Sequence, residues 1–465
     1  MALPSHPPSA TPRLTWQDAL ASARETRALA LGAGSTAEVA TLFRREFPGQ
    51  RAVLVADPST LALAGASIRA GLAAADLEGA PPLILADPSL HAEHRFVAQL
   101  EEALRPHAFV PVVVGSGTLN DLVKLAAHRT QRAYLCVATA ASMDGYTAFG
   151  ASITFEGAKQ TFDCPAPRAV IADIDIIRRA PPAMTASGYA DLMAKVTAGA
   201  DWIVADVLGS EPIDPRAWAI VQGGLGEALS DPAGARAGHP KAITPLVEGL
   251  MLGGFAMQWM KSSRPASGAE HQFSHLWDME HHQHQGAAPS HGFKVGVATR
   301  AVSEFYAALL RRPLDQLDID RCLAAWPDAE TAEAEVVRIF SGTDFLSVAV
   351  RETRAKHATR DELAGQLRRL RSRWPELKLR LEQQLLPPAE VIRRLRLVGA
   401  PAEPEEIGIS RERLRASFIR ARHIRRRFTV LDLAQRAGVF EAVLDELFRP
   451  GGPRSEEHTS ELQSH

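Results

Sequence analysis

Four short segments of this chain carry residue types that can hold a cation and move a proton: SMDGY at 142–146, SGYADLMAK at 187–195, SGAEHQFSHLWD at 267–278 and SHGFKVG at 290–296. A carboxylate and two or three imidazoles drawn from separate segments are the donor set a divalent metal takes in a folded enzyme. Just upstream, FVPVVVGSGTLNDLVKLAA at 109–127 reads as a β-branched strand, a glycine turn ending in Asn120 and Asp121, and an apolar-periodic helix. A metal site beside a nucleotide loop points to hydride chemistry.

Each candidate also has an ordinary structural reading. Asp191 and Lys195 are four apart on a predicted helix and share a face, as any surface ion pair would. Ser267 and Glu270 have the spacing of a capping box, which starts a helix at AEHQFSHLWD and lines His271, His275 and Asp278 along one side. Imidazoles one turn apart can meet one cation, although isolated histidines more often complete core or surface hydrogen bonds. His281, His282 and His284, in EHHQHQG, read as solvated loop residues. His291 opens the helix that runs through FYAALL, with Gly292 permitting close backbone approach.

In GSGTLND, Gly115 and Gly117 leave room for a pyrophosphate beside the backbone, and the amides of the following helix would face it. This is not the GxGxxG fingerprint, and many strand–turn–helix units bind no nucleotide. Asp57 ends the strand RAVLVAD, where a carboxylate accepts from adenosine ribose hydroxyls and repels a 2′-phosphate, favouring NAD over NADP. A second glycine loop, GAGST at 32–36, reads equally well as a plain turn.

The 465 residues suffice for two or three domains, and a formal net charge of −2 gives no global field for nucleic acid or an acidic membrane surface. Three cysteines without pairing or zinc-ribbon spacing fit a reducing compartment and read as small buried thiols. No apolar signal core and no long uncharged apolar run is found, so a cytoplasmic protein without membrane insertion is expected. The last twelve residues, RSEEHTSELQSH, look like a translated sequencing-library adapter, and residues 454–465 are expected to be a non-native, disordered tail.

In the first third, RALALGAGS, RAVLVADP, PPLILADP, FVPVVVGSG and AYLCVATA alternate with helical patterns, the mark of a parallel sheet covered on both faces. ASITFEGAKQTF and RAVIADIDII supply further strands before RRAPP breaks the pattern. From Thr185 the apolar spacing is helical almost throughout. The expected fold is α/β: a Rossmann-like dinucleotide-binding domain over 1–175 and a mostly α-helical metal- and substrate-binding domain over 176–453. The arginine-rich stretches LRRLRSRW and IRARHIRRRF read as solvated helix faces, because aromatic interleaving is sparse.

Taken in order, GSGTLNDLVK, TAASMDGYT, SGYADLMAKVTAGADW, GAEHQFSHLWD and HGFKVG resemble the bacterial sn-glycerol-1-phosphate dehydrogenase family, within the dehydroquinate synthase-like, iron-containing alcohol dehydrogenase superfamily. The likeness continues into RRRFTVLDLA, to about residue 450. It implies that Asp191, His271 and His291 hold one divalent metal, zinc or nickel in preference to iron. It implies cofactor contacts from Asp57, Gly117, Thr118, Asn120, Thr139 and Ser142, to which the glycine turn adds Gly115 and Asp121. Asp144 and His275 would face the substrate, with His275 the candidate to relay a proton. Separately from the resemblance, Lys195, one turn from Asp191, is placed to meet a phosphate or to form a structural ion pair. The implied reaction is NAD(P)H reduction of glycerone phosphate by a homodimer; the alternatives are a polyol dehydrogenase, a dehydroquinate synthase-like lyase and a non-catalytic nucleotide-binding scaffold. Ala148 departs from the family, many of whose members have a cofactor-contacting serine there.

Overall fold

The computed structural model describes residues 12–155 and 158–449. Eight strands appear in chain order: β1 (Ala28–Gly32), β2 (Ala52–Ala56), β3 (Leu83–Ile84), β4 (Val110–Gly115), β5 (Leu135–Ala138), β6 (Ala151–Phe155), β7 (Ala158–Phe162) and β8 (Ala169–Asp173). Six form one parallel sheet in the order β1-β8-β5-β4-β2-β3, and β6 and β7 form a separate antiparallel hairpin. β2, β4, β5 and β8 are buried along their whole length, which explains why they read as continuous aliphatic runs rather than alternating ones. Val112, Val114, Leu135, Val137 and Ile171 join one face of this sheet to Phe43, Phe47 and Ile68 in a single apolar cluster.

β3 lies outside β2, whereas β5 and β8 lie on the other side of β4, so the winding reverses between β2 and β4. In open parallel sheets a ligand crevice forms at the carboxyl ends of the strands flanking such a reversal. Asp57, Gly115 and Thr139 stand at the carboxyl ends of β2, β4 and β5. The Rossmann-like α/β class expected from the sequence is the class observed.

The chain divides into two compact units: Met1–Leu192, Pro215–Ala266 and Leu397–Ala400 in the first; Met193–Asp214, Ser267–Arg396 and Pro401–His465 in the second. The expected division at residue 175 followed the change from strands to helices, and the units cross it. The helices Pro182–Met193 and Pro240–Met260 group with the sheet. Helical periodicity identifies an element without saying which core it covers. Tyr189 donates to the Leu229 carbonyl at 2.8 Å, and Thr147 donates to that of Met251 at 2.7 Å, tying these helices and loops into the first unit.

The second unit is helical. Ala269–Met279 packs against His291–Leu309 and Arg411–Ala421. Phe273 meets Phe418 edge-to-face at 4.8 Å, and the Trp277 indole donates to Ser417 Oγ at 2.9 Å. In LRRLRSRW, Leu367, Leu370 and Trp374 are buried while the arginines are exposed, as a solvated helix face requires. IRARHIRRRF departs from that expectation, because Arg422 and His423 are buried. His282 is also buried rather than solvated: Ile407 O and Arg413 bond its two ring nitrogens at 2.6 and 2.7 Å. All three cysteines are free and buried. Among the described residues no helix is long and apolar enough to cross a membrane, and residues 454–465 lie outside the described residues.

Gly188, in the helix Pro182–Met193, lies against the loop after β5, where an added Cβ would sit 2.0 Å from the Ala141 carbonyl oxygen. The obstructing atoms are backbone and cannot rotate aside, and the Leu250 side chain lies 3.2 Å from the same point. Gly188→Ala is therefore expected to lower stability by about 3 kcal/mol, the upper range of overpacking costs. A urea unfolding midpoint equal to that of the parent chain would refute this.

Candidate active site

β4 runs through Gly115 and Ser116 into the helix Gly117–Arg129, whose first turn has no side-chain cap. Uncapped first-turn amides with their positive dipole end suit a diphosphate. The two glycines owe their identity to local packing: a Cβ on Gly115 would meet the Leu119 side chain at 2.5 Å, and one on Gly117 would meet Met143 Cε at 2.7 Å. Local packing thus requires glycine at both positions independently of any ligand.

Asn120 is fully buried and accepts from the Tyr134 hydroxyl at 3.0 Å. Asp121 accepts from the Ser152 amide at 3.1 Å. Between them and the next turn, Lys124 sends its buried ammonium to the carbonyls of Gly145, Ala148 and Gly150, each at 3.0 Å. This helix therefore fixes the loop DGYTAFG, which carries Asp144. Asn120 and Asp121, expected at the cofactor, are engaged in that scaffold because their side chains lie along the helix flank facing the loop. The helix pattern drew no notice to Lys124; a single lysine within the apolar run LVKLAA was the available signal. Ala148 is buried, and its carbonyl belongs to the same lysine clamp.

At the end of β2, Asp57 caps the following turn, with Oδ1 accepting from the Ser59 and Thr60 amides at 2.8 and 2.9 Å. Oδ1 therefore has a structural role that the ribose reading did not foresee. GAGST proves to be a pinned turn: the Asp173 carboxylate accepts from the amides of Gly34 and Thr36 and from the Thr36 hydroxyl. Thr118 and Ser142 are half-buried near the surface, and Thr139 is buried with its amide donating to Gly115 O at 3.2 Å.

The histidines lie on two helices of the second unit. His271 and His275 are on Ala269–Met279, and His291 is the first residue of His291–Leu309, where Ser290 caps the Phe293 amide. Their ring centroids form a triangle of 5.3, 6.3 and 6.4 Å. Glu270 is fully buried and its carboxylate accepts from His271 Nδ1 at 2.8 Å, the Gly268 amide at 2.6 Å and Thr197 Oγ1 at 2.7 Å. With Nδ1 protonated toward Glu270, His271 directs Nε2 the other way as a lone-pair donor. Burial pushes the Glu270 carboxyl up, yet the His271 bond and charge, joined by Gly268 and Thr197, hold it below the usual glutamate range. Asp201, which accepts from Tyr306 and the amides of Ala269 and Val430, is pushed up to about 7 by burial and then by the Glu270 charge.

The expected capping box is absent. Gly268 is the N-cap, Glu270 turns inward to His271, and the Ser267 hydroxyl bonds Arg427. Glu270 was thus a site residue read as a cap, and its position next to a histidine was the signal. Asp278 pairs with Lys294, so the face shared with His271 and His275 does not make it a ligand. Asp191 and Lys195 lie on successive helices interrupted at Ala194, instead of one turn apart on a single helix. Lys195 is fully buried, which excludes the surface ion pair.

One ligand atom each from Asp191, His271 and His291 all lie within 4.8 Å of one another. Two imidazole nitrogens and a carboxylate oxygen at that spacing fit a three-ligand metal centre with open coordination positions. The Asp144 amide donates to Asp191 Oδ2 at 3.2 Å, bringing the DGY loop to the carboxylate.

A family model described as iron-containing alcohol dehydrogenase matches residues 30–181. The chain is 35% identical over 272 residues to a glycerol-1-phosphate dehydrogenase [NAD(P)+] of Geobacillus thermodenitrificans, covering 58% of this chain and 67% of that one. It is 29% identical over 365 residues to the enzyme of that name from Bacillus licheniformis, covering 77% and 90%. For the one from Halalkalibacterium halodurans, at 33%, the match spans 66% of the relative, just under two thirds of its length. Among solved structures, a glycerol dehydrogenase from Schizosaccharomyces pombe has a TM-score of 0.57 at 16% identity, covering 95% of this chain and 92% of that one, a likeness of fold. With its sheet, its donor set and these relatives, the chain belongs to the glycerol-1-phosphate dehydrogenase family of iron-containing alcohol dehydrogenases.

Proposed function

We propose that the protein reduces glycerone phosphate to sn-glycerol 1-phosphate, using NAD(P)H and one divalent metal held by Asp191, His271 and His291. The observation that carries this reading is the convergence of those three donors, one of them with its tautomer set by a buried carboxylate. When bound, the metal supplies Lewis acidity toward a ketone oxygen and the nicotinamide supplies hydride. Two imidazoles and a carboxylate suit zinc, nickel or iron(II), and the family resemblance favours zinc or nickel. The proposed assembly is a homodimer in the cytoplasm.

The chain's own residues supply orientation and a proton. Asp144 and His275 take the substrate hydroxyls, and His275, half-buried and near the other two imidazoles, relays the proton to the developing alcohol. Lys195 is the cation assigned to the substrate phosphate. On the cofactor side, Gly115, Gly117 and Thr118 line the turn into the helix, Thr139 and Ser142 follow β5, and Asp57 with its second carboxylate oxygen favours NAD over NADP.

The reaction is tested by NADH oxidation in metal-reconstituted protein, with glycerone phosphate against unphosphorylated dihydroxyacetone and chiral analysis of the product. Phosphate-dependent turnover to the sn-1 isomer is expected; equal turnover of both ketones would replace this reading with a polyol dehydrogenase. His271→Ala is expected to lose metal and turnover together, and a metal-free protein with undiminished activity would remove the donor set from the mechanism. Glu270→Gln keeps the shape but weakens the acceptor that orients His271, so metal affinity measured by chelator competition should fall about 10- to 100-fold.

A further inference from the structure

The segment after the helix Arg411–Ala421 turns inward with a cluster of positive charge that the proposed reaction does not use. Arg422 and His423, 8% and 7% exposed, line a cavity of about 60 Å³ together with Lys356, Arg436, Asp432 and Trp326. Glu335, exposed, also lines it, so three cations face two carboxylates, of which only Asp432 is buried. Lys356 pairs with Asp432 Oδ1 at 2.6 Å, while Asp432 Oδ2 accepts from the Thr429 amide at 3.0 Å. Arg436 donates to the Lys356 carbonyl at 2.8 Å and to Gln366.

Arg422 is different. Its guanidinium finds no hydrogen-bond acceptor among the described residues, and Nε is sealed from solvent. It lies 5.3 Å from the centroid of the Phe440 ring, a contact that offsets only part of the cost of burying a cation. Next to it, His423 Nδ1 bonds Thr353 Oγ1 at 2.9 Å, and Nε2 is buried without a partner. Burial, followed by the Arg422 and Lys356 charges, pushes His423 far down, so it is neutral. In the tautomer in which the Thr353 hydroxyl donates to Nδ1, Nε2 carries hydrogen and is a second unmatched donor. A water molecule would relieve a donor but would leave the charge excess. The space exceeds what one water needs and suits a group of several heavy atoms.

We propose that this cavity is an oxyanion site that takes a phosphate group, with Arg422 and His423 donating to its oxygens and the net positive charge of the lining, three cations to two carboxylates, favouring it. The arginine-rich motif then serves a small anion, and the site is independent of the metal donors and of the reaction proposed above.

The test is calorimetric titration of the full-length protein with inorganic phosphate, for the parent chain, Arg422→Gln and Arg422→Lys. The parent should bind one phosphate more than Arg422→Gln, whose affinity at this site should drop at least tenfold, while Arg422→Lys retains it; any phosphate taken by the substrate site appears equally in all three. Repeating the titration with a nucleoside monophosphate separates sources: tighter binding identifies a phosphate ester lying against Trp326, and equal or weaker binding identifies free phosphate. Should Arg422→Gln not fold, selenate soaked into crystals of the parent must give an anomalous peak beside Arg422. Equal stoichiometry in the parent and Arg422→Gln, or no selenate at Arg422, would overturn the proposal.

Discussion

Glu270 places a full carboxylate in the interior of the helical unit, where it is held by a backbone amide, a threonine hydroxyl and the Nδ1 of a histidine. An isolated charge there would be prohibitively unfavourable, so these three donors are conditions for the fold as well as for the site. In bonding Glu270 through Nδ1, His271 loses rotational and tautomeric freedom and keeps Nε2 as its lone-pair donor. The same constraint fixes the start of the helix: Gly268 must be the N-cap with its amide on Glu270, and an added Cβ there would meet Asp201 Oδ2 at 2.5 Å and Glu270 Oε2 at 2.9 Å. Asp201 in turn anchors the Ala269 amide and Tyr306 of the helix that begins with His291.

The nucleotide side uses the opposite charge for the same purpose. Lys124 gathers three carbonyls of a loop outside any strand or helix, Asn120 accepts from Tyr134, and Asp121 holds the Ser152 amide just after the loop. Loop geometry that would otherwise be entropically costly is set by a rigid helix rooted in the parallel sheet. Asp144 is carried by that loop, so the lysine clamp positions the residue proposed to meet substrate. Gly188 adds a steric condition, since only a residue without a side chain lets its helix approach Ala141. Here small residues and a buried cation do what the carboxylate does in the helical unit.

Both arrangements balance each interior charge with fixed donors or acceptors. Arg422 stands apart because its guanidinium is buried beside two further cations with no hydrogen-bond acceptor for its Nε among the described residues. That contrast directs attention to an anionic ligand. It also shows why counting arginines along a helix misleads: in LRRLRSRW the leucines are buried and the arginines exposed, whereas in IRARHIRRRF the helix has ended at Ala421 and the chain turns Arg422 and His423 inward while Arg425 and Arg426 stay exposed.

The parallel sheet was legible because doubly covered strands are unbroken aliphatic runs bounded by turn residues, and those runs are β1, β2, β4, β5 and β8. His271, His275 and His291 were legible as a group through helical spacing and through the motifs they share with a known family. Periodicity, however, is blind to partners. It could not assign the helices Pro182–Met193 and Pro240–Met260 to the sheet's core, nor see that Glu270 turns to His271 instead of capping its helix, nor that Asn120 and Asp121 face a loop. The sequence by itself determined which elements form and which residue types are available for metal and hydride chemistry, because both follow from local patterning. Tertiary structure alone decided which buried polar group answers which, because those pairings join positions far apart in the chain and are enforced by the cost of leaving any of them unmatched.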